Sequence, residues 1–212
     1  MDEDRSEYGN LIDYLAEKGY LKDPDYAAAF KRIRREDFLP DFSVHRASED
    51  RPIPIGEDQT SSQPLTVAFM ISELKPRKGE RILDVGMGGG WQAGLLSEIV
   101  GKDGKVTTVE RVQSLFDLGK ANLEKYGFIS SGVTETVFAD ASKDIGSNGP
   151  YDRIISAAEV DEVPDLWKKS LVVGGVMVFP TKGKLVVAKK IGADQFETKE
   201  YFGFGFTPLI ES

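Results

Sequence analysis

Between Arg81 and Trp91 an apolar run, Ile82-Leu-Asp-Val85, passes straight into Gly86-Met-Gly-Gly-Gly90, and no other segment restricts the fold so tightly. A short apolar run that stops at glycines reads as a buried strand, and a helical pattern follows at once. Glycines at 86, 88 and 90 let the backbone bend sharply and approach a ligand at a helix N-terminus with no Cβ in the way. Position 91 discriminates among ligands. A dinucleotide fingerprint opening at Gly86 needs glycine there, and Trp91 stands in its place. A loop for S-adenosylmethionine (SAM), which has no pyrophosphate to cradle, tolerates the bulky residue. The motif therefore points to a SAM-dependent methyltransferase.

The rest of the chain fits that frame. Helical spacing over residues 6–18, then Asp23-Pro24 as cap and first turn of a helix ending near Arg35, predict a helical N-terminal part. Phe38-Leu39-Pro40 closes it. Residues 41–63 show no periodicity and carry Pro52, Pro54 and Gly56, the mark of a long functional loop. An apolar helix follows over 65–74. Strands at 81–85, 105–110, 133–138, 151–157 and 175–180 then alternate with helices at 90–99, 112–126 and 162–170. Runs near 184–191 and 196–204 read as a hairpin around Gly192-Ala-Asp194. The expectation is an α/β fold: a doubly wound, mainly parallel sheet of the Rossmann-like methyltransferase type with N-terminal helices and a C-terminal antiparallel edge. One domain over 1–212 is expected, with helices and active-site loop in 1–79 and the Rossmann-like core in 80–212.

Composition removes several chemistries. With no cysteine and His45 as the only histidine, thiol nucleophiles, disulfides and a His-based zinc cluster are excluded, so no metal is expected. A Ser-His-Asp triad would depend on His45, a lone histidine in a polar loop that reads as a surface residue. No apolar run approaches the roughly 20 residues of a membrane span, and the acidic start does not read as a secretory signal. A cytoplasmic protein without membrane partners is expected. A net charge of −8 disfavours nucleic acid as a partner. The basic run Lys31-Arg-Ile-Arg-Arg35 reads as a solvated helix end rather than a phosphate site.

In open α/β sheets, ligands sit beyond the carboxyl ends of the strands. Asp84, Gly86, Gly88 and Gly90 end the first strand, with Asp84 either facing ligand or serving the loop amides. Glu110, twenty residues past Gly90, can accept both hydroxyls of a ribose diol. Asp140 can take an adenine amino group, with the Ala141 amide reaching a ring nitrogen; the alternative is that Asp140 caps a following helix.

Asp50-Arg-Pro-Ile-Pro-Ile-Gly-Glu-Asp-Gln-Thr-Ser-Ser-Gln-Pro64 resembles the D-R-P-L-P-I-G-x-x-Q-T-I-S-Q-P signature of protein-L-isoaspartate O-methyltransferases. Arg35-Glu-Asp-Phe-Leu-Pro40, Trp91-Gln-Ala93, Pro150-Tyr-Asp-Arg-Ile-Ile155, Gly174-Gly175 with Pro180, and Phe206-Thr-Pro-Leu-Ile210 extend the resemblance from about Phe30 to Ile210. It implies a SAM-dependent repair enzyme that methylates isoaspartyl residues of damaged proteins and peptides. It implies Ser62 as the active-site serine and Thr60 beside the cofactor. Ile55, Gly56, Thr207, Pro208 and Leu209 would contact substrate, and Gly86, Gly88, Gly90, Glu110, Asp140 and Ala141 would hold SAM. The 41–63 loop is expected to cover the cofactor.

The chain departs from that pattern at four places. Asp140-Ala141 replaces Asp-Gly, and Ser61 replaces an isoleucine. Thr181-Lys-Gly-Lys184 is shortened, and Ser156-Ala-Ala-Glu-Val-Asp161 stands where the family has V-T-A-A-A-P. The last change predicts Glu159 and Asp161 near the site mouth, where they would repel a carboxylate unless Arg51 or Arg153 compensates. A related methyltransferase with another acceptor, or a SAM-binding module without turnover, remain the alternatives at this level.

Overall fold

A computed structural model describes residues 2–210. Helix α1 (Asp2–Glu17) packs on α2 (Pro24–Arg32), whose start follows from its residues. Asp23 accepts the Asp25 N–H at 2.9 Å, and Pro24 occupies a position where its missing N–H costs nothing. A 3₁₀ turn, Arg35–Phe38, ends this part.

The segment predicted to be irregular contains structure. A second 3₁₀ turn spans Val44–Arg46, and β1 (Ile53–Gly56) pairs antiparallel with β2 (Gln59–Ser61). The hairpin turn is Glu57-Asp58, both at positive φ (53° and 54°), a conformation usually marked in sequence by Asn-Gly or Asp-Gly. Glu-Asp gives no such signal, so the ribbon is invisible to pattern reading. It has its own small core, in which Leu39, Ala47, Ile53 and Ile55 pack with Leu115. Asp50 accepts the Leu65 N–H at 2.9 Å and thereby ties the segment to the first turn of α3 (Pro64–Leu74).

The remaining strands form one seven-stranded sheet. In chain order they are β3 (Arg81–Val85), β4 (Lys105–Glu110), β5 (Thr134–Phe138), β6 (Tyr151–Ser156), β7 (Leu171–Thr181), β8 (Lys184–Gly192) and β9 (Gln195–Phe202). Their spatial order is β5-β4-β3-β6-β7-β8-β9; the first five are parallel, and β8 and β9 add as the antiparallel edge. Side chains alternate between two cores. Ile82, Val106, Ile155 and Val178 face Ile12, Phe30, Ile71 and Leu96 of the helices, the last on α4 (Trp91–Val100). Leu83, Val85, Ile154 and Met177 face the other side with Trp167 of α6 (Asp165–Ser170). The strands buried on both faces read as continuous apolar runs, as a parallel sheet requires.

Strand order reverses between β3 and β6, where Val85 pairs with Ser156. Beyond that pair the chain ends of two strands diverge and leave a crevice. Helix α5 (Gln113–Glu124) borders it, and α6 begins at Asp165 rather than 162 because Pro164 is its cap.

Candidate active site

Three adjoining cavities open at this crevice. The first, about 600 Å³ with open solvent at its mouth included, is walled by Gly86, Gly88, Glu110, Ala141, Ile55, Thr60 and Thr207–Ile210. Val85, Val109, Val112, Leu115 and Ala139 give it apolar sides. The second is walled by Ser62, Gln63, Leu65, Pro52 and the Phe202–Thr207 segment. The third, smaller, lies between Ser62 and the Gly86–Gly89 turn, with Trp91 and Gln92 behind it. Thr60 and Ala157 wall all three.

The glycine turn has φ of 83°, 51° and 91° at Gly86, Gly88 and Gly90, conformations that side chains rarely adopt. Glu110 holds the turn from the next strand. Its Oε2 accepts the Gly88 N–H at 2.9 Å, and its Oε1 accepts those of Arg111 and Val112, each at 2.9 Å. Oε2 thus takes one bond and keeps acceptor capacity toward the first cavity. A polar acceptor at the head of an apolar slot suits a ribose diol joined to a flat base. Ala141 is fixed by its own carbonyl, which accepts the Trp167 Nε1–H at 2.7 Å.

Several expectations need correction. Asp84 does not face ligand: it is fully buried, accepting from Gln92 Nε2 and Thr108 Oγ1, each at 2.7 Å. Burial raises its pKa to about 6, partly offset by those two hydrogen bonds. Nor does it serve the loop amides, a task that Glu110 performs. Gly90 sits outside the cavity walls, as the N-cap of α4 packed toward α5. A turn and not a helix follows Asp140, which caps it, its Oδ1 accepting from Ser142 N at 2.9 Å and Ser142 Oγ at 2.7 Å. Ile55, Pro208 and Leu209 line the first cavity rather than the one holding Ser62, whereas Thr207 borders both. Gly56 belongs to the β1 end of the ribbon, outside these walls.

The acidic turn also differs from expectation. Glu159, Asp161 and Glu162 border a separate cavity with Pro208 and Leu209, one that Ser62 does not line. The main chain of Glu159 does the work here. Its N–H donates to Thr207 O at 2.9 Å and its carbonyl accepts from Leu209 N at 2.7 Å, holding the segment in place; Arg111 pins its end through Ile210 O at 2.9 Å. Both candidate cations have acidic partners of their own. Arg153 is buried at the start of β6 in an ion pair with Glu80 at 2.8 Å, and exposed Arg51 pairs with Glu49 at 3.2 Å.

The basic run 31–35 divides. Lys31 and Arg32 form exposed pairs with Asp13 and Glu98, as expected of a solvated helix end. Arg35 is completely buried under the 47–62 segment. Sequence reading missed it because a charge within a basic run gives no sign of burial. Trp91 turns away from the cavities' centre, its Nε1–H on Ile33 O at 3.0 Å and its ring edge-on to Phe30. Among the described residues there is no cluster of His, Asp and Glu suited to a metal ion.

Comparison with known proteins shows the family and the fold. Residues 6–212 match the family model described as protein-L-isoaspartate(D-aspartate) O-methyltransferase. A protein-L-isoaspartate O-methyltransferase of Ignicoccus hospitalis is 38% identical over 205 residues, covering 95% of this chain and 96% of that protein. One from Methanothermobacter thermautotrophicus is 34% identical over 215 residues, covering 99% and 96%. Among solved structures, a putative protein-L-isoaspartate O-methyltransferase of Plasmodium falciparum in complex with S-adenosyl-L-homocysteine shares the fold. Its TM-score is 0.85 at 19% identity, over 97% of this chain and 99% of that one. A structure named protein-L-isoaspartate O-methyltransferase gives a TM-score of 0.84 at 27% identity, over 94% of this chain and 64% of that chain.

Proposed function

This chain belongs to the protein-L-isoaspartate O-methyltransferase family, and from that premise we infer how its cavities divide the reaction. The protein is a SAM-dependent carboxyl O-methyltransferase acting on isoaspartyl residues of proteins. The first cavity takes the cofactor. Glu110 holds the ribose through Oε2, the apolar walls from Val109 to Ala141 take the adenine, and the turn at Gly86 and Gly88 faces the amino-acid end. Bound there, SAM supplies an electrophilic methyl group on a sulfonium centre.

The second cavity takes the isoaspartyl segment. One observation carries the assignment: Thr60 and Ala157 wall all three cavities, so the cavities that hold Ser62 adjoin the cofactor cavity at those two residues. An isoaspartyl carboxylate, like any carboxyl with a pKa of about 4, is ionised at neutral pH and needs no general base. What the chain supplies is alignment of acceptor oxygen with methyl carbon, together with exclusion of water. Ser62 donates a hydrogen bond that orients the carboxylate, and Thr60 sits where the two ligands meet. Thr207 borders both cavities and positions the substrate backbone. The product is a methyl ester, which the next backbone amide can attack to give a succinimide.

Isoaspartyl peptides and proteins are the partners in this reading. The net charge of −8 argues against nucleic acid, and no helix among the described residues is long and apolar enough to cross a membrane. A cytoplasmic site of action is part of the proposal, supported by the absence of cysteine. The test is transfer from labelled SAM to a matched pair of peptides, one isoaspartyl and one aspartyl. Base-labile label on the isoaspartyl peptide alone is the expected result. Equal labelling of both would overturn the substrate assignment, and SAM binding without label would leave a binder without this reaction.

A further inference from the structure

We infer that Arg35 is a positioning residue for methyl transfer: its buried guanidinium holds the 47–62 segment against the glycine turn and so fixes Ser62 relative to the cofactor cavity. The inference rests on the reaction just described but concerns a residue outside all three cavities.

Each of the three guanidinium nitrogens is used on this one segment. Nε donates to Ser61 Oγ at 3.2 Å, and Nη1 donates to Glu49 O at 2.9 Å and Ala47 O at 3.5 Å. Nη2 reaches Arg51 O at 2.9 Å, Ser61 O at 3.0 Å and Ser62 O at 2.9 Å. All these acceptors are neutral, and they lie on the chain that leads into β1 and at the end of β2, on either side of the ribbon's turn. A planar fork can gather carbonyls that approach from several directions, whereas an ammonium on a flexible stem cannot. The guanidinium carbon lies 5.5 Å from the centre of the Trp91 ring, and Trp91 is the residue that follows the glycine turn.

The same 3₁₀ turn that carries Arg35 also touches the glycine turn directly. A Cβ added at Gly89 would lie 2.3 Å from Phe38 O. One four-residue element therefore contacts the cofactor side through Phe38 and the acceptor side through Arg35. Burying a guanidinium is unfavourable, and here burial pushes its pKa down to about 10 while leaving it charged at neutral pH. An apolar residue could fill the space but could not gather the carbonyls. Ser61 completes the latch, since its hydroxyl is the acceptor for Nε.

A latch of this kind acts on the acceptor's alignment through its bonds to Ser61 and Ser62, while the cofactor cavity, although Ile55 and Thr60 of the same segment border it, keeps its Gly86, Gly88, Glu110 and Ala141 walls. A displacement of about 1 Å in a reacting group can cost about 100-fold in rate. The variants to compare are Arg35→Lys, which keeps the charge and loses the fork, and Ser61→Ala, which removes one acceptor. Four quantities are read on each: SAM affinity by calorimetry, kcat and KM for an isoaspartyl peptide, melting temperature, and cleavage at Glu49 and Glu57 by a glutamyl endopeptidase. Arg35→Lys is expected to lower kcat about 10-fold or more, with SAM affinity within about two-fold and cleavage accelerated; Ser61→Ala should lower kcat about three-fold. Wild-type kcat in Arg35→Lys, or SAM affinity falling in step with kcat, would overturn the inference. Should Arg35→Lys not fold, Ser61→Ala decides: unchanged kcat with unchanged cleavage overturns the latch, and a lower kcat at unaltered SAM affinity and melting temperature supports it. A wild-type protein inactive on the isoaspartyl peptide would instead sink the reaction assignment, while the cleavage rates would still test the latch without any acceptor.

Discussion

The Glu110 carboxylate accepts the Gly88 N–H at 2.9 Å, so the end of β4 fixes the curvature of the turn that follows β3. Its other oxygen is committed to Arg111 and Val112 N–H, which leaves one direction free for a ligand hydroxyl. Glu110→Gln keeps the shape but offers a single acceptor oxygen and turns an NH2 toward amide donors. Losing one charge-assisted bond of this type costs about 1.5–3 kcal/mol. SAM affinity measured by titration calorimetry is expected to fall about 10- to 100-fold, with kcat at saturating SAM within a few-fold of wild type. An unchanged affinity would remove Glu110 from the cofactor's contacts.

Gly89 faces a carbonyl that cannot move cheaply. Alanine there would bring its Cβ to 2.3 Å from Phe38 O, a backbone atom of the Arg35–Phe38 turn. Overpacking of this sort costs about 1–3 kcal/mol, so Gly89→Ala should lower the denaturation midpoint without changing the m-value. Gly9 in α1 is the control, because a Cβ there meets nothing within 4 Å. Gly9→Ala should be neutral or stabilise by about 0.5–1 kcal/mol. Equal effects of the two substitutions would show that the Phe38 contact is not constraining.

The same contrast explains how much was legible beforehand. Strand ends, the glycine turn and the Asp23-Pro24 cap are local patterns, and each was readable because the residues that cause it are adjacent in the chain. The β1–β2 ribbon was not, since its turn places Glu57 and Asp58 at positive φ without a turn residue to announce it. Arg35 was misread as solvated because its acceptors lie 12 to 27 residues further along. Asp84 leaves the loop amides to Glu110 for a related reason. Both end apolar strands, and only the positions of Gln92 and Thr108 decide which carboxylate is enclosed. The acidic Ser156–Asp161 turn reads as an obstacle to substrate in the sequence, whereas Glu159, Asp161 and Glu162 line a cavity that Ser62 does not border.

Asp84 carries a pH dependence whose sign follows from its enclosure. Burial raises its pKa from 3.8 to about 6, with Gln92 and Thr108 opposing the rise and Glu110 adding to it. The folded protein therefore binds this proton more tightly than the unfolded chain. Stability from the protonated form is complete below pH 3.8 and is lost as pH rises to about 6, a change of about 3 kcal/mol. In Asp84→Asn the amide oxygen can accept from Gln92 while its NH2 donates to Thr108, and nothing titrates. Wild-type stability minus variant stability, from denaturant melts between pH 4 and 7, should fall across that window and stay flat above it. A difference that does not vary with pH would mean that the carboxylate is not enclosed in the folded state.

Ser62 is held by its main chain and not by its side chain. Its carbonyl accepts from Arg35 Nη2 at 2.9 Å, whereas its hydroxyl has no hydrogen-bond partner among the described residues. Removing the hydroxyl therefore leaves the Arg35 bonds in place and, in the proposed reaction, takes away only a donor to the acceptor carboxylate. Because the carboxylate is already ionised, losing that donor misaligns it without disarming it. Ser62→Ala is expected to lower kcat on an isoaspartyl peptide about 10- to 100-fold, the worth of a hydrogen bond to a charged group. SAM affinity and melting temperature should stay at wild-type values. A loss of SAM affinity as large as the loss of turnover would place the hydroxyl on the cofactor, and unaltered turnover would mean that Thr60 or the main chain orients the carboxylate instead.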